Sequence, residues 1–257
     1  MLVGSHRGLI GKTAMRLKLT IAYDGRPFRG WQSQAGGGTV QDHLEKAFGT
    51  IDGAKVSVQG SGRTDAGVHA LGQVAHVELQ RNDLAPAAWC RAVNAHLPPE
   101  MRILRAVQCP ASFHARFSAK GKTYRYRIWQ GPVHHPLEVG RSWQVPISFE
   151  VALLREAAGV LCGQHDFRGF SANRGQPDHD TVRTISNIRL KTAGPLVEIT
   201  FTGDGFLYKM VRLLTGSMIR VAQGRAPLSW LESILQGGTR TSFAAPAEGL
   251  YLVRVIY

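Results

Sequence analysis

Hydrophobic and polar residues alternate with a period of two in several parts of the chain, and this pattern predicts β-strands. The clearest case lies near the N-terminus, where Leu17, Leu19 and Ile21 are separated by Lys18 and Thr20. A strand of this kind buries one face and leaves the other face polar. The same pattern predicts strands over 15–23, from Val56, and over 73–79, 101–107, 122–129, 185–190, 196–201 and 250–256.

Apolar residues recur every three or four positions in other segments, which predicts amphipathic helices. In the first of them Thr39 is a good N-cap, and Asp42 three residues later resembles a capping box. The pattern predicts helices over 40–51, 84–96, 148–162 with Ser148 as a cap, 206–222, and from Pro227 to near Gly237. Strand–helix–strand units therefore occur in both halves. They predict an α/β protein of the α+β type, with mixed, largely antiparallel sheets flanked by helices.

The composition is that of an ordinary globular protein, with 44% hydrophobic and 19% charged residues among 257, and this excludes wholesale disorder. No stretch approaches the roughly 20 apolar residues that a membrane span needs, so no membrane association is expected. The first residues lack the apolar segment of a secretory signal. The three cysteines are scattered and form no CxxC pair, which favours a reducing cytoplasm over a disulfide framework or a zinc ribbon.

The charge points to a polyanionic partner. The chain has 31 Lys and Arg against 18 Asp and Glu, a formal net charge of +13. The densest basic block is 101–130, which contains seven Lys or Arg and no acidic residue. Counterion release would favour nucleic acid at such a block. A solvated face that keeps the protein soluble is the simpler interpretation, and an acidic membrane surface is disfavoured because no basic amphipathic helix is predicted.

One glycine-rich loop carries candidate chemistry. Residues 60–70 read GSGRTDAGVHA, and they place the carboxylate of Asp65 near the guanidinium of Arg63. The loop matches neither a dinucleotide-binding fingerprint nor a P-loop. An ionised Asp65 could act as a nucleophile or as an electrostatic stabiliser. The residues alone favour a tight turn in which Asp65 caps backbone N–H groups.

Other constellations are weaker. His165-Asp166 and His179-Asp180 fit no standard zinc spacing, so no metal site is predicted, and His165 is interpreted as a structural residue near Phe167. The G-x-S-x-G elbow of a serine hydrolase is absent from the sequence. A methyltransferase is disfavoured because no glycine-rich turn follows the first strand.

The loop and several further segments resemble the tRNA pseudouridine synthase A family. The string GSGRTDAGVHALGQVAHV is similar to that family's active-site motif. The resemblance continues in order from Met15 to Tyr257 through RLKLTIAYDGRPFRGWQSQAGGGTVQDHLEKAF, FHARFSAKGKTYRYRI, GQHDFRGF, VRTISNI, FLYKMVRLLTGSMIRVAQGR and APAEGLYLVRVIY. We expect two domains around a central basic cleft, an N-terminal domain over 15–108 with the catalytic loop and a C-terminal domain over 109–257, because Cys109-Pro110 before the basic stretch marks a seam near 108–121. Residues 1–14 lie outside the resemblance. They are interpreted either as a mis-assigned start, with Met15 as the first residue, or as a short basic arm.

The resemblance implies a reaction, its substrate and an assembly. Enzymes of this family isomerise uridine to pseudouridine at positions 38, 39 and 40 of the tRNA anticodon stem-loop, without a metal or an organic cofactor. They act as homodimers, with the tRNA spanning both subunits. We therefore expect tRNA and a second copy of the chain as partners. Two rivals stay open: a catalytically silent tRNA-binding factor on the same scaffold, and the same chemistry on another RNA or another tRNA position.

The resemblance also assigns roles to four residues. Asp65 matches the catalytic aspartate, and attack on C1′ and proton removal from the 2′ carbon both remain open. Tyr124 matches the active-site tyrosine, whose ring can stack on the target base and whose hydroxyl could take the C5 proton. Spacing alone does not separate it from Tyr126, on the same face of the predicted strand. Arg212 matches the arginine that pairs with the aspartate. Arg63 is expected to enter the space of the extracted base, or to bind phosphate.

The basic residues are then candidate phosphate contacts. The first choices lie in the acid-free block, and the second choices lie in the loop after the first strand. In order they are Arg116, Lys120, Lys122, Arg125 and Arg127, followed by Arg26 and Arg29. Nearby Trp31 is interpreted either as a packing residue or as an RNA-stacking residue.

Overall fold

A computed structural model describes residues 14–172 and 180–257. Its ten strands are β1 Met15–Tyr23, β2 Val58–Gly60, β3 His69–Leu79, β4 Met101–Gln108, β5 Gly121–Gln130, β6 Trp143–Val145, β7 Gly163–Asp166, β8 Val182–Ala193, β9 Leu196–Gly203 and β10 Leu250–Ile256. The α-helices are α1 Val40–Asp52, α2 Pro86–Asn94, α3 Val151–Leu161, α4 Met210–Ala222 and α5 Leu228–Leu235. Short 3₁₀ helices span Phe167–Phe170 and Ala247–Gly249.

All ten strands belong to one sheet, whose main path runs β4-β1-β3-β10-β5-β9-β8-β7. β2 pairs with β3 and β6 pairs with β5 outside that path. Neighbouring strands are antiparallel except for the β3–β10 and β5–β6 pairs, which are parallel. The predicted fold class, a mixed and largely antiparallel sheet flanked by helices, is therefore confirmed. The described part of the chain has no helix long and apolar enough to cross a membrane.

The sheet continues across the predicted domain boundary, because β10 from the C-terminal end of the chain lies between β3 and β5. The buried apolar side chains likewise form a single core cluster that extends from Met15 to Leu252. The division into 15–108 and 109–257 stays a prediction about sequence halves. The extension 1–14 lies almost wholly outside the described residues.

Several local predictions are confirmed because the residues concerned have local partners. The alternation in β1 buries Leu17 and Leu19, and α1 begins after Thr39 with the predicted capping box to Asp42. The first turn of α3 differs from the prediction. Ser148 does not cap this helix, because the helix begins at Val151 with Glu150 at the N-cap position and no side-chain cap bond.

Two boundaries near the site also differ from the sequence prediction. β3 begins at His69 instead of at residue 73, because His69 pairs with Tyr251 of β10, a partner from the far end of the chain. α4 begins at Met210 instead of at residue 206, because Lys209 has left-handed backbone angles (φ 58°) that no helical residue adopts. The short strands β6 and β7 were not predicted, since three or four residues are too few to show a period.

Candidate active site

A cavity of about 460 Å³ opens where the glycine-rich loop, β5 and the start of α4 meet. The loop contributes residues 60–65, β5 contributes Lys122 and Tyr124, and the segment into α4 contributes residues 206–212. The three elements are far apart in sequence, and the sheet brings them together because β10 places β3 and β5 on either side of itself. A volume of this size falls within the range of small-ligand sites, roughly 300–1,000 Å³.

Buried hydrogen bonds hold the glycine-rich loop in place. The amide of Gln73 donates to the Gly62 carbonyl at 3.0 Å, while its oxygen lies 2.7 Å from the Ser61 hydroxyl. The Thr64 hydroxyl, one residue before Asp65, shares a hydrogen bond with the Tyr23 hydroxyl at 2.8 Å. Burial raises the pKa of Tyr23 to about 12, so its phenol stays protonated and available for this bond. The loop is thus fixed by partners on β1 and β3 before any substrate binds.

Trp31 packs beneath the loop. Its side chain is buried, and a Cβ atom at Gly60 would lie 2.4 Å from its ring. The backbone N–H of Trp31 also donates to the Thr64 carbonyl at 3.0 Å. Trp31 therefore has the packing role, and Gly60 is glycine because the indole occupies the space that a side chain would need.

The predicted pairing of Asp65 with Arg212 is present. Nη1 of Arg212 donates to Oδ2 of Asp65 at 2.9 Å, and Nε of the same guanidinium donates to the Ala245 carbonyl at 2.7 Å. The two bonds fix the orientation of the guanidinium, and with it the position of the carboxylate. Oδ1 of Asp65 makes no hydrogen bond to any of the described residues, so this oxygen is available to a ligand in the cavity.

The structure separates the two tyrosines that the sequence pattern left equivalent. Tyr124 lines the cavity, with its ring edge-on to Phe206 at 5.1 Å between centroids. Tyr126 lies in the core and its hydroxyl donates to the Pro246 carbonyl at 2.7 Å. Burial, together with the nearby Tyr23 hydroxyl and Asp65 carboxylate, raises the pKa of Tyr124 far above its usual value. At neutral pH its phenol is therefore protonated.

Five Lys or Arg residues line the cavity, and one of them is Arg212 of the pair with Asp65. Arg63, Arg116, Lys122 and Lys209 all contribute to its wall, and none of them forms an ion pair with a carboxylate of the described residues. Arg63 is exposed, and its Nε donates to the Gln32 side chain at 3.2 Å. Lys122 donates to the Ser61 carbonyl at 3.0 Å. Burial, and then the neighbouring Arg116, lower the pKa of Lys122 to about 8.

The remaining predicted phosphate contacts lie outside the cavity wall. The Arg127 guanidinium is 3.0 Å from Glu138 and 3.4 Å from Glu198, and Arg125 lies 3.6 Å from the same Glu198. Arg26 forms an ion pair with Asp24 at 2.6 Å. Lys120 and Arg29 are exposed and also do not line the cavity. A phosphate-binding role for these five residues stays a prediction, and three of them already have acidic partners.

Sequence reasoning missed several residues of the cavity wall, among them Lys209, His114, Phe117 and Phe206. Lys209 is the one residue other than glycine with positive φ in the described chain. Backbone strain of this kind often occurs at functional sites. The signal available in the sequence was the position of Lys209 three residues before Arg212, in a segment that already resembled a family motif.

Among the described residues, no cluster of His, Cys, Asp and Glu could hold a metal ion. His165 lies 5.7 Å from the Phe167 ring, and its Nε2 is 2.9 Å from the Cys162 carbonyl. The structural interpretation of His165 is therefore confirmed. His179, the other histidine considered for a metal site, lies outside the described residues.

Comparison with known proteins agrees with the geometry. A family model described as tRNA pseudouridine synthase matches residues 19–118 and 157–257. The chain is 46% identical over 251 residues to tRNA pseudouridine synthase A of Akkermansia muciniphila, covering 94% of this chain and 95% of the relative. It is 42% identical over 242 residues to the protein of that name in Methylacidiphilum infernorum, covering 93% and 94%. For the Bordetella petrii protein of that name, the identity is 41% over 248 residues, covering 94% and 91%.

Proposed function

The chain belongs to the tRNA pseudouridine synthase family, and from this membership we propose that it isomerises uridine to pseudouridine at positions 38, 39 and 40 of the tRNA anticodon stem-loop. The observation that carries the proposal is the Asp65–Arg212 pair, held at 2.9 Å on the wall of a cavity that also contains Tyr124 and Arg63. A silent tRNA-binding factor would need none of this arrangement. The intact pair therefore favours an enzyme over that rival.

In the proposed reaction Asp65 is the nucleophile. Its unpartnered Oδ1 attacks C1′ of the ribose as the N1–C1′ bond breaks and the uracil departs as an anion. The base rotates while it remains in the cavity. C5 then attacks C1′ and displaces Asp65, the proton on C5 is lost to a base and finally to solvent, and N1 takes up a proton in exchange. Attack by Asp65 splits one difficult exchange at C1′ into two displacements, which is the usual gain from covalent catalysis.

The other residues position the reactants. Arg212 holds Oδ2 of Asp65, so that Oδ1 faces the sugar. The ring of Tyr124 stacks on the uracil and limits its rotation to the plane of the cavity. Because the pKa of Tyr124 is raised, its neutral phenol is a poor initial base. We therefore assign Tyr124 to stacking, with at most a relay of the C5 proton through its hydroxyl.

The substrate must reach this cavity by leaving a helical stem. A target uridine in a stem has to be extruded from the base stack before a side chain can contact its sugar. Arg63 is exposed at the cavity wall, and in this proposal its side chain fills the space that the base vacates. Arg116, Lys122 and Lys209 supply positive charge for the phosphates that flank the extruded nucleotide. No metal or organic cofactor has a part in this scheme.

We also propose, on family membership alone, that the protein works as a homodimer in the cytoplasm with each tRNA spanning both subunits. A light-scattering measurement of molar mass tests the assembly directly. A mass corresponding to one 28.1 kDa chain at working concentrations would contradict it.

The reaction is tested by tritium release from tRNA labelled at uridine C5, because forming the new carbon–carbon bond must expel that hydrogen. The native chain should release tritium. Asp65→Asn should lower the rate by at least about 1,000-fold, since removal of a nucleophile has effects of this order. The matched control is Asp83→Asn, an exposed carboxylate paired with Arg81, which should keep the native rate.

Binding measurements on the same proteins identify the reason for any failure. Asp65→Asn should still bind tRNA, because the substitution removes an attacking oxygen and no phosphate contact. If the native chain binds tRNA tightly and releases no tritium, the synthase proposal is wrong and the binding-factor rival replaces it.

A further inference from the structure

Phe117 is exposed in a way that its surroundings do not explain. Its side chain is 77% accessible to solvent, the highest value among the exposed large hydrophobic side chains of the described chain. Of that group, it alone lines the cavity of the candidate active site. An aromatic ring left in water forgoes the stabilisation that burial would give it. Its position at the catalytic cavity points to a ligand that covers it.

The ring is held in place by its own turn. The backbone N–H groups of Arg116 and Phe117 both donate to Nδ1 of His114, at 3.1 and 3.3 Å. The Ser118 hydroxyl accepts from the His114 backbone N–H at 3.0 Å and closes the turn. The rings of His114 and Phe117 lie 4.3 Å apart at 36°, so the histidine supports one side of Phe117. Most of the residue remains exposed to solvent.

The support beneath His114 is itself buried. His76 on β3 packs against His114 with 4.7 Å between ring centroids, and its Nδ1 accepts from the Ala115 N–H at 3.2 Å. Burial, together with His114, lowers the pKa of His76 to about 4, so this ring is neutral at physiological pH. The neutral His76 ring therefore packs edge-on against His114 and supports the histidine that contacts the exposed phenylalanine.

The charge around the ring selects the kind of ligand. The Arg116 guanidinium lies 5.6 Å from the centre of the Phe117 ring, and Arg63 and Lys122 line the same cavity. None of these three cations has an ion pair with a carboxylate of the described residues. An apolar protein surface would leave them without partners. A flat π-face surrounded by unpaired cations is instead suited to a nucleobase and its phosphate.

We propose that Phe117, supported by His114 and flanked by Arg116, is a stacking site for an unpaired nucleobase of the RNA substrate other than the reacting uracil. The inference rests on the proposed function and deepens it. Extrusion of the target uridine leaves the base that faced it in the stem unpaired, and an exposed aromatic ring at the cavity wall offers that base a stacking partner. Tyr124 is deeper in the cavity and buried, and it remains the residue assigned to the target base.

The test measures the affinity of an anticodon stem-loop RNA by fluorescence anisotropy for Phe117→Ala, Phe117→Leu and Phe117→Trp. Removing a stacked ring should weaken binding roughly fivefold to 150-fold. Phe117→Leu should be nearly as weak, because it restores apolar volume without a π-face, and Phe117→Trp should bind like the native chain. The matched control is Leu137→Ala, a residue 73% exposed and outside the cavity, which should change nothing.

Salt dependence separates stacking from charge. Phe117→Ala should shift the plot of log affinity against log salt without changing its slope, since no counterion is released by a neutral ring. Arg116→Gln should reduce the slope by about 0.7 to 0.9 if that guanidinium contacts one phosphate. The midpoint of thermal unfolding should stay unchanged for Phe117→Ala because the ring is exposed, which excludes misfolding as the cause.

Three results would overturn the proposal: native affinity in Phe117→Ala, native affinity in Phe117→Leu, or a halved molar mass in Phe117→Ala. The second would indicate simple apolar contact, and the third would make the ring part of an interface between copies. Tritium release by the native chain is measured in parallel. If the native chain releases tritium but Phe117→Ala binds RNA normally, only the stacking-site proposal is wrong. If Phe117→Ala weakens RNA binding but the native chain releases no tritium, only the isomerase proposal is wrong.

Discussion

The two faces of β5 carry cations of two different kinds. Lys122 shares a face with Tyr124 and reaches the cavity, where it contacts a backbone carbonyl and no carboxylate of the described residues. Arg125 and Arg127 are on the other face and form ion pairs with Glu198 of the neighbouring β9. Both kinds come from the same acid-free block of sequence. The local density of positive charge in the sequence therefore does not determine which cations are free to bind RNA.

Whether a cation is free to bind RNA depends on carboxylate partners that are distant in sequence. Glu198 is 71 residues after Arg127, and the register of β5 with β9 places them directly opposite each other. A cation that already has a carboxylate partner must lose that contact, at least in part, before it can bind phosphate. The cavity cations lose no such contact when RNA arrives. We therefore expect the two groups to differ in what their removal changes: RNA binding for the cavity cations, stability for the paired ones.

Arg212 belongs to neither group, because it is paired with a carboxylate and also lies in the cavity. Arg212→Lys keeps the charge, but one ammonium cannot reach both Asp65 and the Ala245 carbonyl as the guanidinium does. We expect kcat to fall about 100-fold, as for loss of one preorganised catalytic hydrogen bond. Single-turnover tritium release measures this effect.

The control for Arg212→Lys is Arg220→Lys, on the same helix, where the guanidinium packs over Phe243 at 4.2 Å. That variant should retain native kcat. If Arg212→Lys also retained it, charge alone would be sufficient at this position, and the fixed orientation of Asp65 would have no catalytic importance.

Arg127 tests the expectation that the cations paired with carboxylates contribute to stability. Its side chain is 19% exposed and those of its partners Glu138 and Glu198 are 17% and 18% exposed, so this is a partly buried network. Arg127→Gln should lower the free energy of unfolding by about 1–2 kcal/mol, because charged hydrogen bonds are lost and solvent screens these partly exposed charges. Urea denaturation measures it. Arg125→Gln should lower the free energy of unfolding by less, since Arg125 is more exposed and its ion pair is longer.

The RNA affinity of Arg127→Gln decides whether the comparison holds. We expect the native slope of log affinity against log salt. A slope reduced by about one would mean that Arg127 leaves its carboxylates and contacts a phosphate, as the sequence alone predicted.

Local patterns predicted much of the fold. The alternation in β1 and the capping box of α1 are determined by residues a few positions apart, and both are confirmed. The early start of β3 was hidden because His69 pairs with Tyr251 at the other end of the chain. The start of α4 was hidden because a lysine rarely adopts the left-handed conformation of Lys209.

Some residues of the candidate site could likewise be identified from the sequence, and others could not. The family resemblance identified Asp65 and Arg212, and the structure brings them into contact. It did not identify Phe117 or Lys209 as cavity residues, since nothing in the sequence distinguishes an exposed phenylalanine from one in the core. The ion pairs of Arg125 and Arg127 could not be foreseen, because their acidic partners lie on other elements.

Arg116 should show the smaller effect expected of one surface cation. Arg116→Gln should weaken binding of the stem-loop RNA about threefold to tenfold at moderate salt and reduce the salt slope by about 0.7 to 0.9, as one lost phosphate contact requires. Isothermal titration over a series of salt concentrations measures both quantities. Lys120→Gln, from the same basic block and outside the cavity, is the matched control, and an equal change in slope there would mean that RNA follows the block as a whole.

Titration of Lys122 should have the smallest effect on RNA affinity, and its direction follows from the lowered pKa of this lysine. Burial and Arg116 lower its pKa to about 8, so the ammonium is charged at pH 7 and mostly neutral at pH 9. We expect RNA affinity to fall about twofold to fivefold over this range, the size of one partly screened charge contact. Stability should respond in the opposite direction. The folded pKa lies below that of the unfolded chain, so the unfolded state binds more protons between about pH 8 and 10.5, and this group favours folding increasingly as pH rises through that window.

Lys122→Arg isolates that titration, because a guanidinium stays charged throughout the range. Its RNA affinity should be nearly the same at pH 7 and pH 9, whereas Lys120→Arg, outside the cavity, should keep the decline of the native chain. Titration of the RNA bases affects every variant equally and cancels in this comparison. Arg116 is the charged neighbour that faces Lys122, so Arg116→Gln should also move the midpoint of the decline to higher pH. A native decline that persisted in Lys122→Arg would assign the titration to another group and leave Lys122 as a support of the Ser61 carbonyl only.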